Sequence, residues 1–183
     1  MQATRGTSLS STGPDHPTPL SPPRHRLLFV LVAVAAYAVD LGTKLLAVAH
    51  LTPHEPVDVL DGLLRFNLVR NPGAAFSTGT SYTLILTVIA LIAAGVVIRF
   101  GRRLGDPTWA VALGMLLAGV CGNLTDRVFR EPGFLRGHVV DFLELPHWPV
   151  FNVADMLIDA AVLLIIVQTW RGIGITGARH PRS

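Results

Sequence analysis

The 183 residues are half hydrophobic and only 15% charged, with a mean hydropathy of +0.50, which excludes a water-soluble domain with its charged surface. A pI near 9.7 raises nucleic acid as a partner, but the arginines are scattered between apolar runs and gather on no one face, so none is expected. Cys121 is the only cysteine, which excludes an internal disulfide.

Residues 1–23 are rich in Ser, Thr, Pro and Gly, with five prolines between Pro14 and Pro23. Such a segment buries too little apolar surface to offset its ordering entropy, and a disordered tail is expected. Four apolar stretches follow, at Leu27 to about Ala49, Tyr82 to Ile98, Thr108 to Cys121 and about Val150 to Trp170. Their lengths suit four spanning helices, the third only if Gly122–Arg127 continues it. Arg24–Arg26, the apolar run from Leu27 to Val39 and Ala47-Val48-Ala49 together imitate a cleavable signal peptide. Asp40, Thr43 and Lys44 intervene before the small-residue site and argue for a retained span.

The loops orient the chain. Arg24 and Arg26, then Arg99, Arg102 and Arg103, then Arg171, Arg179 and Arg182 flank the spans on one side. That side is read as cytoplasmic, with both termini inside and 172–183 as a short cytoplasmic tail. The 50–81 and 128–149 loops fall outside. In the first, Val57–Leu60 and Leu63–Val69 flank Asp61-Gly62, the dipeptide suited to a tight type I′ hairpin. A small extracytoplasmic sheet is expected, to which His138–Phe142 of the second loop adds. Gly133 and Gly137 flank that second loop and suggest a lid.

A charge at the bilayer centre costs about 2.5–3.5 kcal/mol or more on insertion scales, so each carboxylate in a span needs an explanation. Asp40 and Lys44 are four apart and share a helical face; a structural ion pair and a part of a site wall are both open. Asn71–Ser77 reads as a polar re-entry turn, with Gly73 at unusual backbone angles and Asn71 bonded to its own loop. Asn123, Asp126 and Arg127 share one face of the third span, where Asp126 can pair with Arg127 or Arg130. Asn152, Asp155 and Asp159 share a face of the fourth. Asp141 precedes that helix among apolar neighbours. Asp141 and Asp155 have no cationic neighbour in sequence and approach one boundary layer. A pair sharing a proton and a set of separate structural acids both remain open from spacing alone.

Five strings in order, Asp40-Leu-Gly-Thr-Lys44, Asn67-Leu-Val-Arg-Asn71-Pro-Gly-Ala-Ala-Phe-Ser77, Gly122-Asn-Leu-Thr-Asp-Arg127, Gly137-His-Val-Val-Asp-Phe142 and Phe151-Asn-Val-Ala-Asp155, resemble the lipoprotein signal peptidases (signal peptidase II). The resemblance covers about residues 27–170. It implies an all-α polytopic membrane protein, four transmembrane helices with a small extracytoplasmic β-cradle, and makes 24–171 the peptidase domain. It implies an aspartic endopeptidase of the bacterial plasma membrane that cuts prolipoproteins just before a diacylglyceryl-modified cysteine at the outer face. Asp141 and Asp155 look like its catalytic pair. Asp40, Lys44, Asn71, Asn123, Arg127 and Asn152 look like residues that line the site, and Asp126 looks supportive. No metal, cofactor or obligate protein partner is implied beyond substrate and membrane lipid. Asp159 lies outside the strings and is expected to face the bundle interior.

Other readings are weaker. Ser77 or Ser81 with Lys44 makes a Ser–Lys pair at loose spacing. His138, Asp141 and His147 make a zinc site without a paired-His motif. A proton or ion carrier needs ionisable groups through the whole membrane thickness, and only Asp159 extends inward.

Overall fold

The computed structural model describes residues 23–73 and 80–179, so residues 1–22 of the tail expected at 1–23, Ala74–Ser77 of the re-entry turn, and Arg182 lie outside the described residues, while Pro23 already belongs to a helix. Four long helices are present: α1 (Pro23–His50), α2 (Thr80–Gly101), α3 (Pro107–Phe129) and α4 (Val153–Trp170). All four are long and apolar enough to cross a membrane. Helices answer the bilayer because they satisfy every backbone N–H and C=O within the segment. The chain is a mostly helical, polytopic membrane protein. α3 runs through Gly122–Arg127 to Phe129, which removes the shortfall in the third apolar stretch. It is also the most buried span, packed against the other three, whereas α2 makes its main helix contacts with α3 alone. Large apolar side chains such as Leu31, Val34, Ile92 and Leu163 stay exposed, as hydrocarbon-facing groups do.

Strands β1 (Val57–Asp58), β2 (Arg65–Asn71) and β3 (Val139–Glu144) form an antiparallel sheet in the order β1-β2-β3. The Asp61-Gly62 turn forms as the dipeptide predicts: both residues have positive φ, 42° and 81°, and Leu63 N–H closes the turn on Leu60 C=O at 2.7 Å. Leu68, Val140 and Phe142 of the sheet pack on Ala47 near the end of α1, which fixes the sheet to the helix bundle.

α4 begins later than its apolar stretch. Phe151 exchanges backbone hydrogen bonds with Leu143 at 2.8 and 2.9 Å, and Asn152 caps the helix. At the other end of the bundle, Asp106 caps α3 and accepts from Trp109 N–H and Gln168 Nε2. Residues 172–179, the described part of the expected C-terminal tail, fold back on the α2–α3 connection: Trp109 Nε1 donates to Ile173 C=O, and Gly105 N–H to Ile175 C=O, each at 2.9 Å.

Candidate active site

The site begins with a helix start. The first amides of a helix lack partners within it, and at α4 they are answered from two directions. Asn152 Oδ1 accepts from Asp155 N–H and Asp155 Oδ2 from Asn152 N–H, both at 3.1 Å, a reciprocal capping box. The carboxylate of Asp40, reaching across from α1, accepts from Ala154 N–H at 2.8 Å. Asp40 comes this close because α3 presents Gly122 there, where a Cβ would collide with the Asp40 carboxylate.

The free amide of Asn152 then turns to the sheet, donating to Asp141 Oδ1 at 2.6 Å. Asp141 Oδ2 accepts from Asn71 Nδ2 at 2.8 Å. The sheet sets that second contact: Val69 pairs with Asp141 and Asn71 with Val139, so Asn71 and Asp141 are diagonal neighbours on one face. Asn71 also accepts from Gly73 N–H at 2.8 Å, and Gly73 has φ 110°; both features were expected of the re-entry turn. Asp155 Oδ1 accepts from Asn123 Nδ2 at 2.9 Å. The two acids therefore reach the same place from a strand and a helix start, joined by one asparagine.

Below them lies an ionic core. Lys44 Nζ meets Asp40 at 3.1 Å, Asp126 at 2.9 Å and Asn123 Oδ1 at 2.9 Å, so its three N–H donors have three acceptors. Asp126 also takes Arg130 and Val140 N–H. The i,i+4 pair of Asp40 and Lys44 and the pairing of Asp126 with Arg130 were expected; the bridge from Lys44 to Asp126 was not, since nothing local in sequence announces it. Arg127 is placed within electrostatic reach of Asp141, Asp126 and Asp155, and its Nη1 is buried without a hydrogen-bond partner among the described residues. Asp40, Asp126, Asp141 and Asp155 thus outnumber Lys44, Arg127 and Arg130 by one formal negative charge. Burial pushes the Asp141 carboxyl up to about 6, helped by the charge of Asp155, while the bonds from Asn71 and Asn152 and the charge of Lys44 oppose the shift.

Asp159 corrects the expectation. It is exposed, because the buried line of α4 runs through Ala154, Ala161 and Gln168 and Asp159 is well over a quarter-turn away from it. Asn152 is the cap with extended backbone, so of the three residues expected on one face only Asp155 and Asp159 are helical. His138, Asp141 and His147 do not converge: among the described residues no three His, Cys, Asp or Glu side chains group to hold a metal. Ser77 lies outside the described residues, and Lys44 spends its donors on acceptors rather than on a hydroxyl. Of the two glycines flanking the second outer loop, Gly137 is held by its surroundings while a Cβ at Gly133 would meet nothing within 4 Å. Gly137 N–H donates to Arg127 C=O at 2.9 Å, Leu135 C=O accepts from Thr87 of α2 at 2.9 Å, and a Cβ at Gly137 would strike the carbonyls ending α3.

Fold and site together define a multi-pass membrane enzyme with two carboxyls held at the junction of a helix start and a sheet. The model of the signal peptidase (SPase) II family matches residues 32–171. The lipoprotein signal peptidase of Rhodococcus jostii (strain RHA1) is 46% identical over 168 residues, 92% of this chain and 84% of that protein. That of Mycobacterium avium (strain 104) is 52% identical over 151 residues, 80% and 81% of the two chains. A bacterial membrane enzyme solved at 1.9 Å by the in meso method superposes with a TM-score of 0.71 at 26% identity, over 84% of this chain and 97% of that one. The chain belongs to the signal peptidase II family and is a peptidase.

Proposed function

We propose that the enzyme removes the signal peptide of prolipoproteins by cleaving just before a diacylglyceryl-modified cysteine, with Asp141 and Asp155 as its catalytic pair. The observation that carries this reading is that Asn152 holds both carboxyls, one by its side-chain amide and the other through the capping box.

The chemistry follows from the surroundings. Asp141, whose proton is held to about pH 6 by burial, suits the acid that donates a hydrogen bond to the scissile carbonyl. Asp155 accepts N–H donors on both oxygens and is assigned the base that takes a proton from water. Hydroxide adds to the carbonyl carbon as that proton moves to Asp155 and the Asp141 proton moves to the oxygen. On collapse the oxygen returns its proton to Asp141, the C–N bond breaks, and the Asp155 proton leaves with the amine. No step calls for a metal or cofactor. Arg127 Nη1, without a partner in the cluster, is free to take a substrate carbonyl. Asn71, Asn123 and Asn152 orient the acids, while Asp40, Lys44 and Asp126 hold the frame.

The arginine clusters support a topology with both termini in the cytoplasm and the sheet and site at the outer face, with 24–171 as the peptidase domain. A substrate helix in the bilayer and acyl chains on its cysteine would bring the scissile bond to that depth, so lipid and prolipoprotein are the only partners the reaction needs. The test is processing of a diacylglyceryl-modified prolipoprotein by purified protein, with Asp141→Asn and Asp155→Asn variants and with EDTA. Both variants should stay folded and lose cleavage, and EDTA should change nothing. Near wild-type cleavage by either variant overturns the pair.

A further inference from the structure

The end of α2 away from the site carries a feature that peptide cleavage does not use. Ile92, Gly95, Val96, Arg99, Phe100 and Arg103 line a groove of about 470 Å3, and all six are exposed. The three residues nearest the middle of the span are small or aliphatic; Arg99 lies in the last turn of α2 and Arg103 in the turn just past its end at Gly101. No neighbouring helix fills the floor, since a Cβ at Gly95 would meet nothing within 4 Å.

The charges above the groove are uncompensated. Neither the Arg99 nor the Arg103 side chain makes an ion pair or hydrogen bond with the described residues. The acid nearest them in sequence, Asp106, is engaged by Trp109 N–H and Gln168 Nε2. The general bias of arginine toward one membrane face accounts for the charges. It does not account for an apolar void leading away from two of them.

We propose that this groove binds one phospholipid with an anionic headgroup, its phosphate between Arg99 and Arg103 and an acyl chain along Ile92, Gly95 and Val96. Two neighbouring guanidiniums supply the charge-assisted hydrogen bonds that phosphate oxygens accept, and a basic pocket at the membrane boundary adds the surface attraction for anionic lipid. The apolar floor supplies what a soluble phosphate could not use. This site is independent of the peptidase assignment.

Native mass spectrometry of the full-length protein with phosphatidylglycerol tests it. The wild-type protein should retain one lipid, with phosphatidylcholine retained about tenfold less well. Arg99→Gln/Arg103→Gln should weaken phosphatidylglycerol retention by about tenfold. Gly95→Leu, which keeps both charges and fills the floor, should lose it as well. Arg24→Gln, an exposed arginine on the same side, should change retention less than about twofold. The proposal is overturned if phosphatidylcholine binds equally, if Gly95→Leu binds like wild type, or if Arg24→Gln weakens retention as much as the double variant.

Discussion

Asn152 Nδ2 donates to Asp141 Oδ1 at 2.6 Å while the rest of the same residue caps α4 through Asp155, so one asparagine serves both as a helix cap and as a link between two acids. The two roles separate by substitution. Asn152→Ala removes both and should lower thermal stability by about 1 kcal/mol as well as activity. Asn152→Ser keeps a capping oxygen but lacks the amide donor; its stability should stay near wild type. Cleavage by either variant should fall by about 100-fold, the scale of a small misplacement of a reacting group. If Asn152→Ser cleaves at the wild-type rate, the link to Asp141 has no catalytic part.

Burial of Asp141 has a consequence for stability against pH. Its folded pKa, about 6, lies above the ordinary aspartate value of 3.8, so the fold binds this proton more tightly than the unfolded chain. Stability from this group is complete below about pH 4 and is lost as pH rises through about 6, amounting to about 3 kcal/mol by neutrality. Asp141→Asn carries no such charge. It loses a fraction of this gain, about 1 kcal/mol, because its amide NH2 meets a donor from Asn71 or Asn152. The unfolding temperature of the variant should equal or exceed wild type at pH 7.5, and its fall between pH 4 and 7 should be shallower. A variant less stable than wild type at pH 7.5 would contradict this account.

The sequence made different parts of this molecule legible for different reasons. Spans are legible because hydrocarbon demands long apolar runs, and the hairpin because Asp61-Gly62 tolerates positive φ at both positions. The start of α4 was read three residues early, since an apolar run does not reveal that Phe151 bonds to Leu143. The family strings supplied Asp141, Asp155 and the asparagines around them. How these are held was not visible. Asp40 caps Ala154 from 114 residues away, and Lys44 spans two acids from different helices; no local period encodes contacts between distant segments. Asp159 went astray because a polar residue in an apolar span was assigned to the bundle interior, while the buried line of α4 runs on another side of the helix.

Lys44 is the cation that permits this core. Removing it by Lys44→Met leaves Asp40 without its salt bridge and Asp126 with the one to Arg130, and breaking a buried pair from one side costs about 3–5 kcal/mol. The double variant Asp40→Asn/Lys44→Met restores charge balance, and an asparagine oxygen still accepts from Ala154 N–H. Thermal unfolding in detergent should show a large loss for the single variant and a partial return in the double one. Equal stability of Lys44→Met and wild type would mean that the ammonium carries no net stabilisation.

Two glycines in the helices separate packing from propensity. At Gly122 an added methyl would press on the Asp40 carboxylate and touch Ala154 Cβ at 3.4 Å, the place where α1, α3 and α4 meet. Gly122→Ala should destabilise by about 1–3 kcal/mol, the usual cost of overpacking, and should reduce cleavage because Asp40 can no longer cap α4. At Gly42, two residues along α1 from Asp40, a methyl meets nothing within 4 Å. Gly42→Ala should therefore follow helix propensity and stabilise by about 0.5–1 kcal/mol, with cleavage unchanged. Unfolding temperatures for the pair should move in opposite directions. If both variants are stabilised, α1 is not held against α3 as closely as the bond between Asp40 and Ala154 requires.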